Sequence, residues 1–272
     1  MDCFQIRIPE TPTTTKPITI VPVSDTHFGS IAHDHQSWER VKTFIKETPS
    51  CYWICLGDMG EFIPPGDRRY DGKLLNRYLK NRAGDIITAT IDLIVEEFSP
   101  IKDKLLLMLS GNHDDKYRKT VGVDIVAIIA ERLGIKQNSY PYEALVKLFF
   151  GKKSRFSASL YLSHGFGGGL YKGNKLNRLS LMSKNFDADI YIAGHAHDMM
   201  AAPERVVSLN LNGTSLIEKT RWLIRIAGFR KSRSDASDYE EKAGYPPNVT
   251  GTVAIEFFRR GDNLDANVRF LT

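Results

Sequence analysis

The chain has 272 residues, 42% of them apolar and 25% charged, a composition suited to one large globular domain with a sizeable core. No apolar run approaches the ~18–20 residues of a membrane span, and the N-terminus, with Asp2 near its start and no apolar core, does not read as a secretory leader. The net charge of +5 is unevenly spread: residues 151–184 hold seven Lys/Arg and no acid, and 205–233 hold seven with one acid, Glu218. Such runs suit either a phosphate-rich partner or a solvated basic face. Of the three cysteines, Cys51 and Cys55 lie four residues apart on an extended run, too far for a disulfide. Free core thiols in a reducing, cytoplasmic setting are expected.

In chain order, "ITIVPVSD" (18–25) reads as a buried strand ending at an Asp, and "HQSWERVKTFIKE" (35–47) has helical apolar spacing. "SCYWICLGD" (50–58) is a second strand ending at an Asp. Residues 60–84, with "PPGDRRYDGK" and a polar-faced helix, read as an inserted loop or lid. A helix over 85–98, a strand over 104–111 and a helix over 123–134 stopping at Gly134 follow. The second half continues with a strand (157–164), a Gly-rich loop, a helix (174–186) and a strand (188–195), then three strand-like runs. Strands alternating with helices predict an α/β layered fold, and the extra C-terminal strands predict a second sheet. A single domain over 1–272 is expected.

Five strand ends carry metal-type ligands: Asp25-Thr-His27, Gly57-Asp58, Gly111-Asn112-His113-Asp114, Ser163-His164-Gly165 and Gly194-His195-Ala196-His197. Five of the chain's seven histidines fall in these clusters. Ligands bind outside the carboxyl ends of strands in open α/β sheets, so the clusters converge if their strands share a sheet. In an extended segment residues two apart lie on one face, so Asp25 with His27, and His195 with His197, can each grip a cation from one direction.

The shell of four imidazoles, one carboxamide and the carboxylates of Asp25 and Asp58 leaves two divalent cations about +2 short of neutrality, which a hydroxide and an anionic phosphate ester would complete. Mixed His/Asp/Asn ligation favours manganese first, with Fe, Zn, Co or Ni as substitutes, over all-oxygen cations.

In this order the motifs "DTH", "GD", "GNHD", "SHG" and "GHAH" closely resemble those of the calcineurin-like metallophosphoesterase superfamily. The resemblance spans 25–197 and implies a four-layer α/β/β/α sandwich of the metallophosphoesterase type. It implies one metal on Asp25, His27 and His197, another on Asn112, His164 and His195, and Asp58 bridging them. A metal-bound hydroxide would attack phosphorus in line, His113 would assist the leaving oxygen and Asp114 would orient His113.

The resulting expectation is a two-metal phosphodiesterase acting on nucleic acid, DNA or RNA. The alternatives are a small-molecule phosphatase or cyclic-nucleotide phosphodiesterase, and a non-catalytic binding scaffold. Arg68, Arg69, Lys116 and Arg118 are candidate phosphate contacts by proximity in sequence, and Lys172 and Lys175 by following the Gly-rich loop. His33 and His35 belong to no motif; they read as a surface loop or helix start. No membrane partner is expected.

Overall fold

A computed structural model describes residues 1–62, 72–82, 85–167, 171–209, 212–232 and 246–272. The chain runs β1 (Asp2–Ile8), β2 (Ile18–Val23), α1 (His35–Glu47), β3 (Cys51–Cys55), α2 (Arg77–Lys80), α3 (Ile86–Phe98), β4 (Leu105–Met108), α4 (Asn112–Val121) and α5 (Ile125–Leu133). It continues with β5 (Glu143–Phe150), β6 (Phe156–Ser163), α6 (Lys172–Asn185), β7 (Ile190–Ala193), β8 (Met200–Leu209), β9 (Leu216–Arg225), β10 (Thr252–Arg260) and β11 (Asn263–Leu271).

Side chains alternate across each strand, and that alternation sorts them into layers. Ile20 and Ile54 point inward and meet Val146, Leu148, Leu160 and Ile192 between the two sheets. Val21, Trp53 and Cys55 point outward, against Trp38 and Val41 of α1, Ile94 and Phe98 of α3, and Ile129 of α5. On the opposite flank Tyr161, Tyr191 and Leu223 pack on Leu179 of α6. The result is an α/β/β/α sandwich. Asp34, Asp85 and Asp124 cap α1, α3 and α5 by accepting from the backbone N–H of Ser37, Thr88 and Ala127, which satisfies donors that a helix start leaves unpaired.

One sheet has the order β11-β10-β2-β3-β4 and the other β1-β5-β6-β7-β9-β8. The motif-bearing strands therefore do not share a sheet. β2, β3 and β4 are parallel neighbours in the first, and β6 and β7 in the second. The late strands also divide, β8 and β9 joining one sheet and β10 and β11 the other. Strand pairing is non-local, and an apolar run looks alike in either sheet. Strands β1, β5 and β11 and helix α4 are additions to the sequence expectation.

Of the expected lid, residues 63–71 and 83–84 lie outside the described residues. In its remainder Leu75 and Leu79 pack on Ala89 of α3, and the Asn76 N–H donates to the Gly29 carbonyl at 2.8 Å. Cys51 and Cys55 are buried free thiols, each pushed up to about 12 by burial. Among the described residues no helix is long and apolar enough to cross a membrane.

Trp53 is fully buried, donates its indole N–H to the Ile101 carbonyl at 2.8 Å and sits 4.9 Å from the Phe98 ring. Trp53→Ala is expected to cost ~3–5 kcal/mol, read as a lower urea midpoint at unchanged slope; a midpoint within error of the parent would contradict this packing.

Candidate metal centre

The carboxyl ends of both parallel strand sets meet at one edge of the sandwich. Asp25 follows β2, Asp58 follows β3, Asn112 follows β4, His164 follows β6, and His195 and His197 follow β7. Two bonds tie the sheets together there. The His195 N–H donates to Asp25 Oδ2 at 2.8 Å, and His164 Nδ1 donates to the Leu56 carbonyl at 2.8 Å.

All seven expected ligands gather at this edge, in two groups. In the first, potential ligand atoms of Asp25, His27 and His197 all lie within 4.8 Å of one another. Asp25 Oδ1 is 3.8 Å from His27 Nε2 and 3.9 Å from His197 Nε2. Asp25 Oδ1, His27 Nε2 and His197 Nδ1 are buried with no hydrogen-bond partner. Each such group costs about 1–3 kcal/mol, and more when charged.

The second group joins Asp58, His164 and His195, again within 4.8 Å. His164 Nε2 is 3.3 Å from Asp58 Oδ2 and 3.3 Å from His195 Nδ1. The Asn112 carboxamide oxygen is 3.1 Å from His164 Nε2 and faces acceptors, with His195 Nδ1 at 2.7 Å and Asp58 Oδ2 at 3.3 Å. A cation among these atoms satisfies all of them at once. Without one, even a reversed amide has two N–H groups for three acceptors. Both groups thus have donor sets that fit a divalent metal.

The backbone carries strain at the same place. Asp25 (φ 53°), His27 (44°), Asp58 (51°), His195 (67°) and His197 (49°) all adopt the left-handed region, at about 1–3 kcal/mol each for a non-glycine residue. The Asp25 N–H donates to the Gly57 carbonyl at 3.0 Å and the His27 N–H to the Asp58 carbonyl at 3.2 Å, locking the first two turns to the third. Two glycines allow this approach. A Cβ on Gly57, itself at φ 91°, would fall 2.2 Å from the Gly111 nitrogen, and one on Gly111 would fall 2.0 Å from Asp58 Oδ1.

Electrostatics follow the geometry. Burial pushes His197 down to about 3, the neutral form a metal ligand requires. Burial also opposes charge on His164, but the adjacent Asp58 carboxylate overrides it and raises the imidazole to about 9. Burial, reinforced by the Asp58 charge, lifts Asp114 to about 7.

His113 lies with its ring 4.9 Å from that of His27, edge to face. Its expected partner Asp114 serves the backbone instead: Oδ2 accepts from the N–H of Gly111 at 2.8 Å and of Asp58 at 2.9 Å, while Oδ1 has no partner. Asp114 thus shapes the turn under the site, and the orienting residue is Glu61. His113 Nδ1 donates to the Glu61 carbonyl at 2.8 Å and lies 3.9 Å from its carboxylate. His27 Nδ1 donates to Glu61 Oε2 at 3.0 Å, which leaves Nε2 turned toward Asp25. Burial works against the Glu61 charge, but His27 outweighs it and holds the carboxyl down at about 2. Sequence reading missed Glu61; its only local signal is its place three residues after Asp58.

The basic residues are distributed otherwise than expected. Lys175 is buried, bonding to the Ala196 carbonyl at 3.1 Å and to Asp198. Arg178 donates to the Phe166 carbonyl at 3.0 Å, and buried Arg225 donates to the carbonyls of Lys175 at 2.9 Å and Gly194 at 3.1 Å. These cations brace the two loops that carry His164, His195 and His197. Arg205 and Lys219 sit where the β8–β9 hairpin projects beyond the start of β7, at the pole away from the site. Arg230, by contrast, acts electrostatically on His27, Glu61 and His197; it belongs to the basic run 205–233. Arg68 and Arg69, the middle of the Gly-rich loop at 168–170 and the side chain of Lys172 lie outside the described residues. His35 opens α1, and His33 Nδ1 donates to the Thr26 carbonyl at 2.7 Å, bracing the turn between Asp25 and His27.

No family model and no curated protein matches the chain. Among solved structures, a metallophosphoesterase from Sphaerobacter thermophilus is similar at 13% identity and TM-score 0.44, over 94% of this chain and 88% of that one. Vacuolar protein sorting 29 from Cryptosporidium parvum is similar at 13% identity and TM-score 0.40, over 94% and 98%. A conserved, predicted phosphoesterase from Streptococcus pneumoniae is similar at 12% identity and TM-score 0.36, over 93% and 98%. With identities and TM-scores this low, the chain's own residues carry the functional reading.

Glu61→Gln keeps the shape but removes the charge that orients His27. Metal affinity is expected to fall about 10–100-fold, measured by competition with a chelating dye; affinity equal to that of the parent would remove Glu61 from this role.

Proposed function

We propose that the chain is a metal-dependent phosphoester hydrolase, in its finer form a two-metal phosphodiesterase acting on nucleic acid. The observation that carries the proposal is the set of buried atoms lacking partners, Asp25 Oδ1, His27 Nε2 and His197 Nδ1, beside an Asn112 oxygen that faces acceptors. Asp25, His27 and His197 would hold one cation, Asn112, His164 and His195 the other, and Asp58 would be shared. Divalent cations, when bound, supply Lewis acidity toward phosphoryl oxygens and make water a nucleophile at neutral pH.

The protein's part is positioning and proton handling. His113 keeps its Nδ1 proton on the Glu61 carbonyl, so Nε2 is the nitrogen that serves the leaving oxygen. With the Glu61 carboxylate 3.9 Å from that same Nδ1, the ring is held in place as a positioned general acid must be. Arg230 adds positive charge on the side of His27 and His197, which favours an anionic substrate. A purely structural metal site would use four closed, thiol-rich ligands, and a binding scaffold would not require His113 to be held in one tautomer. The nucleic-acid part of the proposal draws on the groove described next, since most of the basic residues that first suggested it are engaged elsewhere.

Asp58→Ala is expected to lose bound metal and, with it, hydrolysis of bis-p-nitrophenyl phosphate. His113→Ala should retain metal while turnover falls by about 10²–10⁴. EDTA should abolish activity and manganese restore it. Elemental analysis and initial rates decide: metal lost from His113→Ala, or recovery with calcium alone, contradicts the assignment.

A further inference from the structure

A groove of about 1010 Å³ opens beside the metal centre, between α4 and the segment 138–142. We propose that it is a subsite for a single nucleic-acid strand, taking the nucleotides that continue the substrate beyond the reacting phosphate; this rests on the phosphoester reading above. Asn112 lines one end. Asp115 and Lys119, three and seven residues further on, lie on the same face of α4 and line the groove as it leads away. Tyr140 and Tyr142 form the facing wall, and the Tyr142 ring stands 5.3 Å from that of His164, edge to face. The groove is thus continuous with the second ligand group.

Its size and chemistry point to the same ligand. Pockets for small molecules span ~300–1,000 Å³, so this one, at the top of that range, has room for more than the group that reacts. Its lining is balanced in formal charge, Asp2, Asp115 and Asp124 against Lys116, Arg118 and Lys119, and each acid already has a partner. Asp2 accepts from the Ser139 hydroxyl at 2.5 Å, Asp124 caps α5, and Asp115 takes Arg118 at 2.5 Å and Lys119 at 2.6 Å. The bases keep a surplus of donors. A guanidinium has five N–H groups and an ammonium three; Asp115 receives Arg118 through Nε and Nη2, and the two side chains are 56% and 73% exposed. A wall of aromatic rings facing a row of surplus cationic donors suits bases stacked on one side and backbone phosphates on the other.

The test is fluorescence anisotropy of a 5′-labelled phosphorothioate tetrathymidylate, which resists hydrolysis, on the manganese-loaded 272-residue chain. Lys119→Ala, on the surface, and Tyr140→Leu are each expected to weaken binding about tenfold with metal content unchanged. Tyr140→Phe should retain affinity, because the ring and not the hydroxyl stacks. Lys119→Ala should also flatten the dependence of log affinity on log salt by about 0.7, the loss of one phosphate contact on a single strand. Parent-like affinity in both Lys119→Ala and Tyr140→Leu, or no binding by the parent, overturns the subsite. Hydrolysis of bis-p-nitrophenyl phosphate by the parent, measured separately, reports on the phosphoester reading alone. Strand binding that depends on the groove without hydrolysis would sink that reading and leave the subsite standing; hydrolysis without groove-dependent binding would do the reverse.

Discussion

The structure depends on an interaction that the polypeptide cannot complete alone. The Asp25 carboxylate is fully buried where the two sheets meet, with one oxygen bonded to the His195 N–H and the other facing His27 and His197 without a partner. A buried carboxylate is tolerated only when paired or coordinated. Here the pairing comes from imidazoles that are themselves short of partners. Their common deficit suits a cation, and the parallel ends of β2, β3, β4, β6 and β7 bring these groups to one edge.

The backbone supports the same conclusion from a different direction. Among the described residues eight non-glycine positions have positive φ, and five of them are Asp25, His27, Asp58, His195 and His197. At about 1–3 kcal/mol each, their combined strain is of the order of a domain's net stability of ~5–15 kcal/mol. Such turns persist because the surroundings over-determine them: β2 and β3 lock through Asp25–Gly57 and His27–Asp58, Lys175 and Arg225 hold the carbonyls of Ala196 and Gly194, and Asp114 gathers the N–H groups of Gly111 and Asp58. A metal bound at the proposed centre would act on a loop system already held in its strained form.

Much of this was legible in the sequence where the signal is local. Helix α1 spans the residues its spacing predicted, because Asp34 marks its start and Trp38, Val41 and Ile45 repeat on one face. The ligand-bearing turns announced themselves because Gly, Asp, Asn and His after an apolar run combine special backbone needs with coordinating side chains. What could not be read is long-range. The division of the strands between two sheets depends on pairings such as β10 with β2, more than two hundred residues apart. Glu61 became visible only once the Glu61 N–H was seen to donate to the Phe28 carbonyl at 3.2 Å, which carries its side chain to His27. The resemblance gives Asp114 the task of orienting His113, but neighbours on a helix diverge by about 100°, and its carboxylate turns back to the helix start.

The basic runs show why charge counted along a chain misleads about charge in space. By count, residues 151–184 and 205–233 suit either a phosphate-rich partner or a solvated basic face. In the fold, Lys175, Arg178 and Arg225 turn inward to loop carbonyls, and Arg205 and Lys219 stand at the far pole. Of the cations that border the centre, Arg230 comes from the second run, while Arg118 and Lys119 stand on α4, where with Lys116 they face Asp114 and Asp115 in the count. An isolated helix with that composition would read as a solvated face laced by intrahelical pairs. Its significance comes from position, because α4 begins at Asn112 and therefore carries its cations away from the metal centre along one wall of the groove. A buried cation holding a carbonyl and an exposed one facing a groove have the same formal charge, but only the second has donors left for a ligand.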